Sequence, residues 1–106
     1  MWQSTCEARQ MILITGALSV RAEHGEEAAR LCIEHSRRSR SEPGCLHHAV
    51  HRDLEDEHRL VFVEYWADQA AVDTHFAVPA SLEFVKAVTA LASESPTIEI
   101  YNATHV

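Results

Sequence analysis

The sequence predicts a single α+β domain, and three observations carry that prediction. Residues 11–20 (MILITGALSV) and 59–66 (RLVFVEYW) are dense in β-branched, aliphatic and aromatic residues, the composition of strands. Two other stretches space their apolar or small residues as one face of a helix does. Turn chemistry punctuates the chain between them: Ser41-Glu42-Pro43-Gly44 joins a pre-proline restriction to a turn pair, and residues 93–96 end on Pro96.

Each element follows in order. The first strand covers residues 11–20. Gly25, followed by Glu26 and Glu27, opens a helix, because carboxylates favour the positive end of the helix dipole. Its inward face runs through Ala28, Leu31, Cys32, His35 and Ser39, and it stops before Ser41. A second strand covers residues 45–52, an acidic turn residues 53–57, and the third strand residues 59–66. Asp68 suits the N-cap of a short helix ending near Phe76. Pro79 suits the first turn of another helix whose apolar face is Leu82, Val85, Val88 and Leu91. Residues 97–104 (TIEIYNAT) alternate as a final strand. The order β-α-β-β-α-β, with its second helix in two pieces, is the split βαβ or ferredoxin-like plan with a four-stranded antiparallel sheet.

At 106 residues the chain has room for one domain, residues 11–106, with residues 1–10 expected to form a loose arm. Apolar content of 46% and charged content of 24% are those of a globular protein. A net charge of −7 argues against nucleic acid, whose phosphates need a concentrated cationic surface. Arg37, Arg38 and Arg40 fall at the predicted end of the first helix, where cations suit the dipole. Cys6, Cys32 and Cys45 form neither a C-x-x-C pair nor an even set, which fits reduced thiols in a cytoplasm. No apolar run approaches the roughly 20 residues that span a bilayer, and residues 1–10 lack the apolar core of a signal peptide.

The first and third strands are apolar at consecutive positions, so both faces of the sheet call for burial. Two helical segments cover one face only. A two-fold partner laying its own sheet on the other is the economical solution, and a homodimer is therefore expected.

Eight histidines raise the question of a metal. His47 and His48 point to opposite faces of one strand, and His47 and His51 lie about 13 Å apart at strand rise. No helix carries an H-x-x-x-H pair, so no metal site is expected. His35, on the inner stripe of the first helix, and His75, closing the second, are candidates for a general base. On the third strand Leu60, Phe62, Glu64 and Trp66 share a face, and Glu64 is the odd carboxylate on an apolar strand. It is either a buried group paired with histidine or backbone, or a solvated rim residue. Trp66 is either core or a stacking surface for a flat aromatic ligand.

Two motifs then stand out. His35-x-x-x-Ser39-x-x-Glu42-Pro43-Gly44-Cys45-Leu46 precedes a strand, and Glu64-x-Trp66-x-Asp68-x-x-Ala71-x-x-x-His75 runs from strand into helix. Together they resemble the signature pair of the antibiotic biosynthesis monooxygenase family, from about Met11 to Tyr101. The resemblance implies a dimeric α+β barrel with one pocket per subunit between sheet and helices. It implies oxygenation of quinols, anthrones or polyphenols by O2 without metal or flavin, and so no cofactor. Relatives also degrade haem or process a small phosphorylated sugar. The haem-degrading members rely on a first-strand asparagine where this chain reads Thr15-Gly16-Ala17. The resemblance carries His35, Glu64 and His75 over as catalytic candidates, and Trp66, His48, Phe62 and Phe84 as substrate contacts. His48 stands where an aromatic is common. The expected partners are a small aromatic substrate, O2 and a second copy of the chain. Two other readings use the same residues: proton transfer on a small polar carbonyl compound, and a non-catalytic ligand-binding dimer.

Overall fold

The computed structural model describes residues 9–106, and the expectation for residues 1–8 lies outside them. The order is β1 (Arg9–Ser19), a single 3-10 turn (Ala22–His24), α1 (Gly25–Ser39), β2 (Cys45–Asp53), β3 (Asp56–Trp66), α2 (Gln69–Ala77), α3 (Pro79–Leu91) and β4 (Thr97–His105). All strand pairings are antiparallel, in the order β2-β3-β1-β4. This is the ferredoxin-like α+β plan that the pattern predicts. No helix among the described residues is long and apolar enough to cross a membrane.

Two boundaries and one helix face differ from the sequence reading for local reasons. β1 begins two residues early, because Arg9 and Gln10 pair with His105 and Thr104 of β4. The acidic turn shrinks to Leu54 and Glu55. Asp53 and Asp56 pair across it, and their carboxylates accept the backbone N–H groups of Glu55 and His58. Such Asx contacts let a run of charges close a tight hairpin. Half of the expected face of α3 turns outward: Leu82 and Val85 are exposed, whereas Val88 is buried and Leu91 packs on the core as expected, and Ser81 is buried as well. Ser81 Oγ takes a hydrogen bond from Arg38 at 3.1 Å, which turns that side of the helix towards α1.

The helices all lie on one sheet face, where alternate residues of the central strands point inward. One apolar cluster joins Leu18, Val20, Leu60 and Phe62 to Ala28, Cys32 and Val88 of the helices. A second joins Ile12, Ile14 and Trp66 to Val72 of α2. The other face carries half-buried Leu13, Val61 and Val63. Leu13 sits between Tyr65 and Tyr101 in the register, and both tyrosines are exposed.

Gly44 fixes the loop that leads to the site. Its φ of +83° is costly for any residue with a side chain, and a Cβ there would stand 2.5 Å from that of Ala71. The Gly44 carbonyl also accepts the N–H of Ala67 at 2.8 Å. The Glu42-Pro43-Gly44 loop is thereby clamped against the start of α2, whose N-cap Asp68 accepts the N–H of Ala71.

Candidate active site

Between the two apolar clusters the same layer turns polar. His35, Ser36 and Ser39 of α1, His48 of β2, Glu64 of β3, His75 of α2 and Ser81 of α3 are all buried. Three imidazoles meet here: the His35 ring lies 5.2 Å from that of His48 and 5.3 Å from that of His75, and His48 and His75 are 5.6 Å apart. β2 brings His48 opposite Glu64 in the ladder, while the Gly44 clamp sets α2 so that His75 reaches the same point.

Each ring is held by its Nδ1. His75 Nδ1 lies 2.8 Å from Glu42 Oε1, so it donates to that carboxylate and Nε2 carries the lone pair. Arg38 donates to His35 Nδ1 at 2.9 Å; a guanidinium cannot accept, so the His35 proton resides on Nε2. His48 Nδ1 pairs with Ser36 Oγ at 2.9 Å. Its Nε2 lies 3.4 Å from Glu64 Oε2 without the alignment of a hydrogen bond, and is buried with no partner among the described residues. Arg38 joins the network from outside, donating to Glu42 Oε2 at 2.7 Å.

Burial sets the protonation of these groups. Desolvation, then the neighbouring rings and Arg38, lower His35 to about 3. His48 falls to about 3 for the same main reason. His75 is also lowered by burial, although its bond to Glu42 opposes the shift. Burial raises Glu64 to about 7, against the Trp66 indole N–H that donates to its Oε1 at 2.9 Å. At neutral pH the site therefore holds neutral imidazoles, two of them with opposite hydrogen-bonding characters.

A cavity of about 320 Å3 opens onto this cluster. His35, His75, Phe62, Glu64 and Phe84 all line it, with Val85, Val88 and Ile98 among its apolar walls. Phe84 stacks flat on His35 at 3.9 Å. Two expected substrate contacts stand elsewhere. Trp66 is fully buried behind the wall, committed to Glu64 and the second apolar cluster, so it presents no stacking face. His48 is likewise behind the wall, among the other rings. Glu64 does not orient His75; Glu42 does. Sequence reasoning passed over Glu42, Arg38, Ser36 and Ser81 as site residues. Glu42 stood within the quoted motif, and its i,i+4 spacing from Arg38 was the available signal. Cys32 is buried with its thiol pushed up to about 12, which leaves it unreactive.

The comparisons with known proteins agree with this fold. A sequence profile of the family described as "Antibiotic biosynthesis monooxygenase" matches residues 11–87. An uncharacterised protein of Synechocystis is 33% identical over 90 residues, which cover 85% of this chain and 61% of that protein. A crystal structure described as an antibiotic biosynthesis monooxygenase superimposes with a TM-score of 0.83 at 27% identity, covering 88% of this chain and 98% of the other. A candidate antibiotic biosynthesis monooxygenase of Deinococcus radiodurans gives 0.87 at 29% identity, covering 91% and 95%.

Proposed function

The chain belongs to the antibiotic biosynthesis monooxygenase family, and on that premise we propose that it oxidises a small electron-rich aromatic, a quinol, anthrone or polyphenol, with O2. One observation carries the reading: an apolar cavity that ends at two neutral imidazoles, one holding a lone pair on Nε2 and the other a proton. A phenol or enol hydroxyl seated there gives its proton to His75 Nε2 and meets the His35 N–H with its developing oxyanion. Glu42 favours the imidazolium that forms on His75, and Arg38 holds Glu42 in turn. The anion surrenders electrons to O2 far more readily than the neutral acid does. For an anthrone-type CH2 the balance closes without another reductant. The carbon loses four electrons in becoming C=O, one oxygen atom enters the product and the other leaves as water. Phe62 and Phe84 flank the space for a flat ring, and the apolar walls keep water from the reduced-oxygen stage.

The exposed row of Tyr65 and Tyr101 around Leu13 supports a homodimer formed through the uncovered sheet face.

Oxygen uptake by metal-stripped protein given a reduced naphthoquinol or an anthrone tests the reading. The expected result is uptake above the blank that falls by about 10²–10⁴ in His75→Ala, the usual contribution of a general base. Uptake no faster than the blank with both substrates would turn the assignment to proton transfer on a carbonyl compound or to ligand binding.

A further inference from the structure

We infer that His35, His48 and His75 form a binding site for a divalent transition-metal ion of the imidazole-preferring class, such as Zn2+, Ni2+ or Co2+. The inference concerns binding, goes beyond the oxygenation reading and does not depend on it.

Geometry carries it. One ligand nitrogen from each ring lies within 4.8 Å of the others, and all three side chains are buried. Zinc–imidazole bonds of 2.0–2.1 Å place tetrahedral nitrogens about 3.4 Å apart. The rings therefore need to close by up to about 1.4 Å, within the reach of small χ rotations. A second observation is independent of the clustering. His48 Nε2 is buried without a hydrogen-bond partner among the described residues, and orphaned nitrogens of this kind are rare in proteins. A third is the outer ring of contacts. His75 donates its Nδ1–H to the Glu42 carboxylate, and His48 Nδ1 rests on the Ser36 hydroxyl. A carboxylate on the far nitrogen is a support that metal-bound histidines use to fix their tautomer, and the Ser36 oxygen can accept the same kind of N–H from His48. With three protein ligands, a fourth position opens on the cavity, as in catalytic rather than closed sites.

His35 is the ligand with a competitor. Its Nδ1 accepts from Arg38, which keeps the proton on Nε2. Coordination through Nε2 moves that proton to Nδ1 and expels the guanidinium, whose bond to Glu42 and partial exposure give it an alternative. Arg38 thus sets the affinity. The metal also takes the His75 lone pair that the oxygenation reading uses as its base, so the loaded site is an inhibited one.

Titration of the tag-free, chelator-stripped full chain with Co2+, without substrate, tests this. The expected result is one ion per chain, with the visible bands of four-coordinate cobalt. His48→Gln and His75→Gln should each lose at least 100-fold in affinity, Glu42→Gln 10–100-fold as supporting carboxylates do, and Arg38→Gln should bind more tightly. His47→Gln, on the exposed side of β2, should bind as the parent does. Imidazole 15N NMR of the unaltered chain with Zn2+ gives an answer that no misfolded variant can obscure: the His35, His48 and His75 rings should shift, the others not. Absence of cobalt bands, bands that persist in folded His48→Gln, or zinc shifts confined to the other histidines would overturn the inference. Binding is read without substrate, so its failure leaves the oxygenation reading intact, and a silent oxygen assay leaves the metal site intact.

Discussion

The layer between sheet and helices contains two kinds of interior. At either end, Leu18 with Phe62 and Ile14 with Trp66 build apolar clusters of the ordinary sort. Between them lies a belt of three imidazoles, a carboxyl and three hydroxyls, all buried. Apolar burial adds stability at about 25 cal/mol per Å2, whereas a buried polar group at best recovers through hydrogen bonds what desolvation took. The belt is therefore a local loss that the clusters on either side offset.

The largest effect expected from this contrast is acid sensitivity. His35 and His48 are neutral when folded down to about pH 3, but in the unfolded chain they take up protons near pH 6.5. Between those values the unfolded state binds more protons, so stability is full above about 6.5 and falls as the pH drops towards 3. The slope is about 1.4 kcal/mol per pH unit for each proton bound only by the unfolded chain. Glu64, raised to about 7, opposes this between pH 7 and 4.5, where the folded state holds the extra proton. Two histidines against one carboxyl leave the net direction unchanged. Urea unfolding at pH 7, 6, 5 and 4 should show the midpoint fall with acid, and His48→Gln should flatten that fall. A midpoint level across this range would show that the belt is not held neutral.

The apolar clusters give the next effect, and one that does not depend on pH. Trp66 is fully enclosed beside Ile14 and Val72, and Trp66→Ala should cost about 3–5 kcal/mol by removing a large core side chain. Trp66→Phe keeps most of the volume and loses the indole N–H on Glu64 with part of the ring, so it should cost less than the truncation to Ala. If the two variants proved equally damaging, the hydrogen bond rather than the packing would be what Trp66 contributes.

Much of this fold was legible because strands announce themselves locally. Consecutive apolar residues in β1 and β3 make both strands plain in the sequence. The burial of Ser81 in place of Leu82 and Val85 was not legible: all three match the helical period, and it is the bond from Arg38 together with the packing of Phe84 and Val88 that accompanies the side turned in. The site was half legible. His35 and Glu64 stand out by their odd placement on apolar faces and His75 by closing the short helix, and the three line one cavity. The resemblance adds His48 as a pocket residue, but the meeting of the three rings at one point is not legible within any single strand or helix, because they come from α1, β2 and α2. Glu42 escaped for a related reason: a loop carboxylate reads as solvated until the Gly44 turn is known to press that loop onto α2.

The smallest expected effect tests whether Glu64 belongs to the belt or to the cluster beside it. As a carboxyl lifted to about 7, it is largely neutral in weak acid and must be charged in a buried site at pH 8. Glu64→Gln removes that charge, keeps an acceptor for the Trp66 indole and sets an amide N–H near the unpartnered His48 Nε2, now 3.4 Å from the carboxylate. The indole bond weakens when its acceptor is no longer charged, which reduces the gain. The variant should be more stable than the parent by on the order of 1 kcal/mol at pH 8, with the difference vanishing towards pH 4.5. Paired thermal melts at the two pH values read this directly. A loss of stability at pH 8 would mean that the charged carboxylate earns its place through the Trp66 bond, and Glu64 would then be counted with the packing around Trp66 rather than with the polar belt.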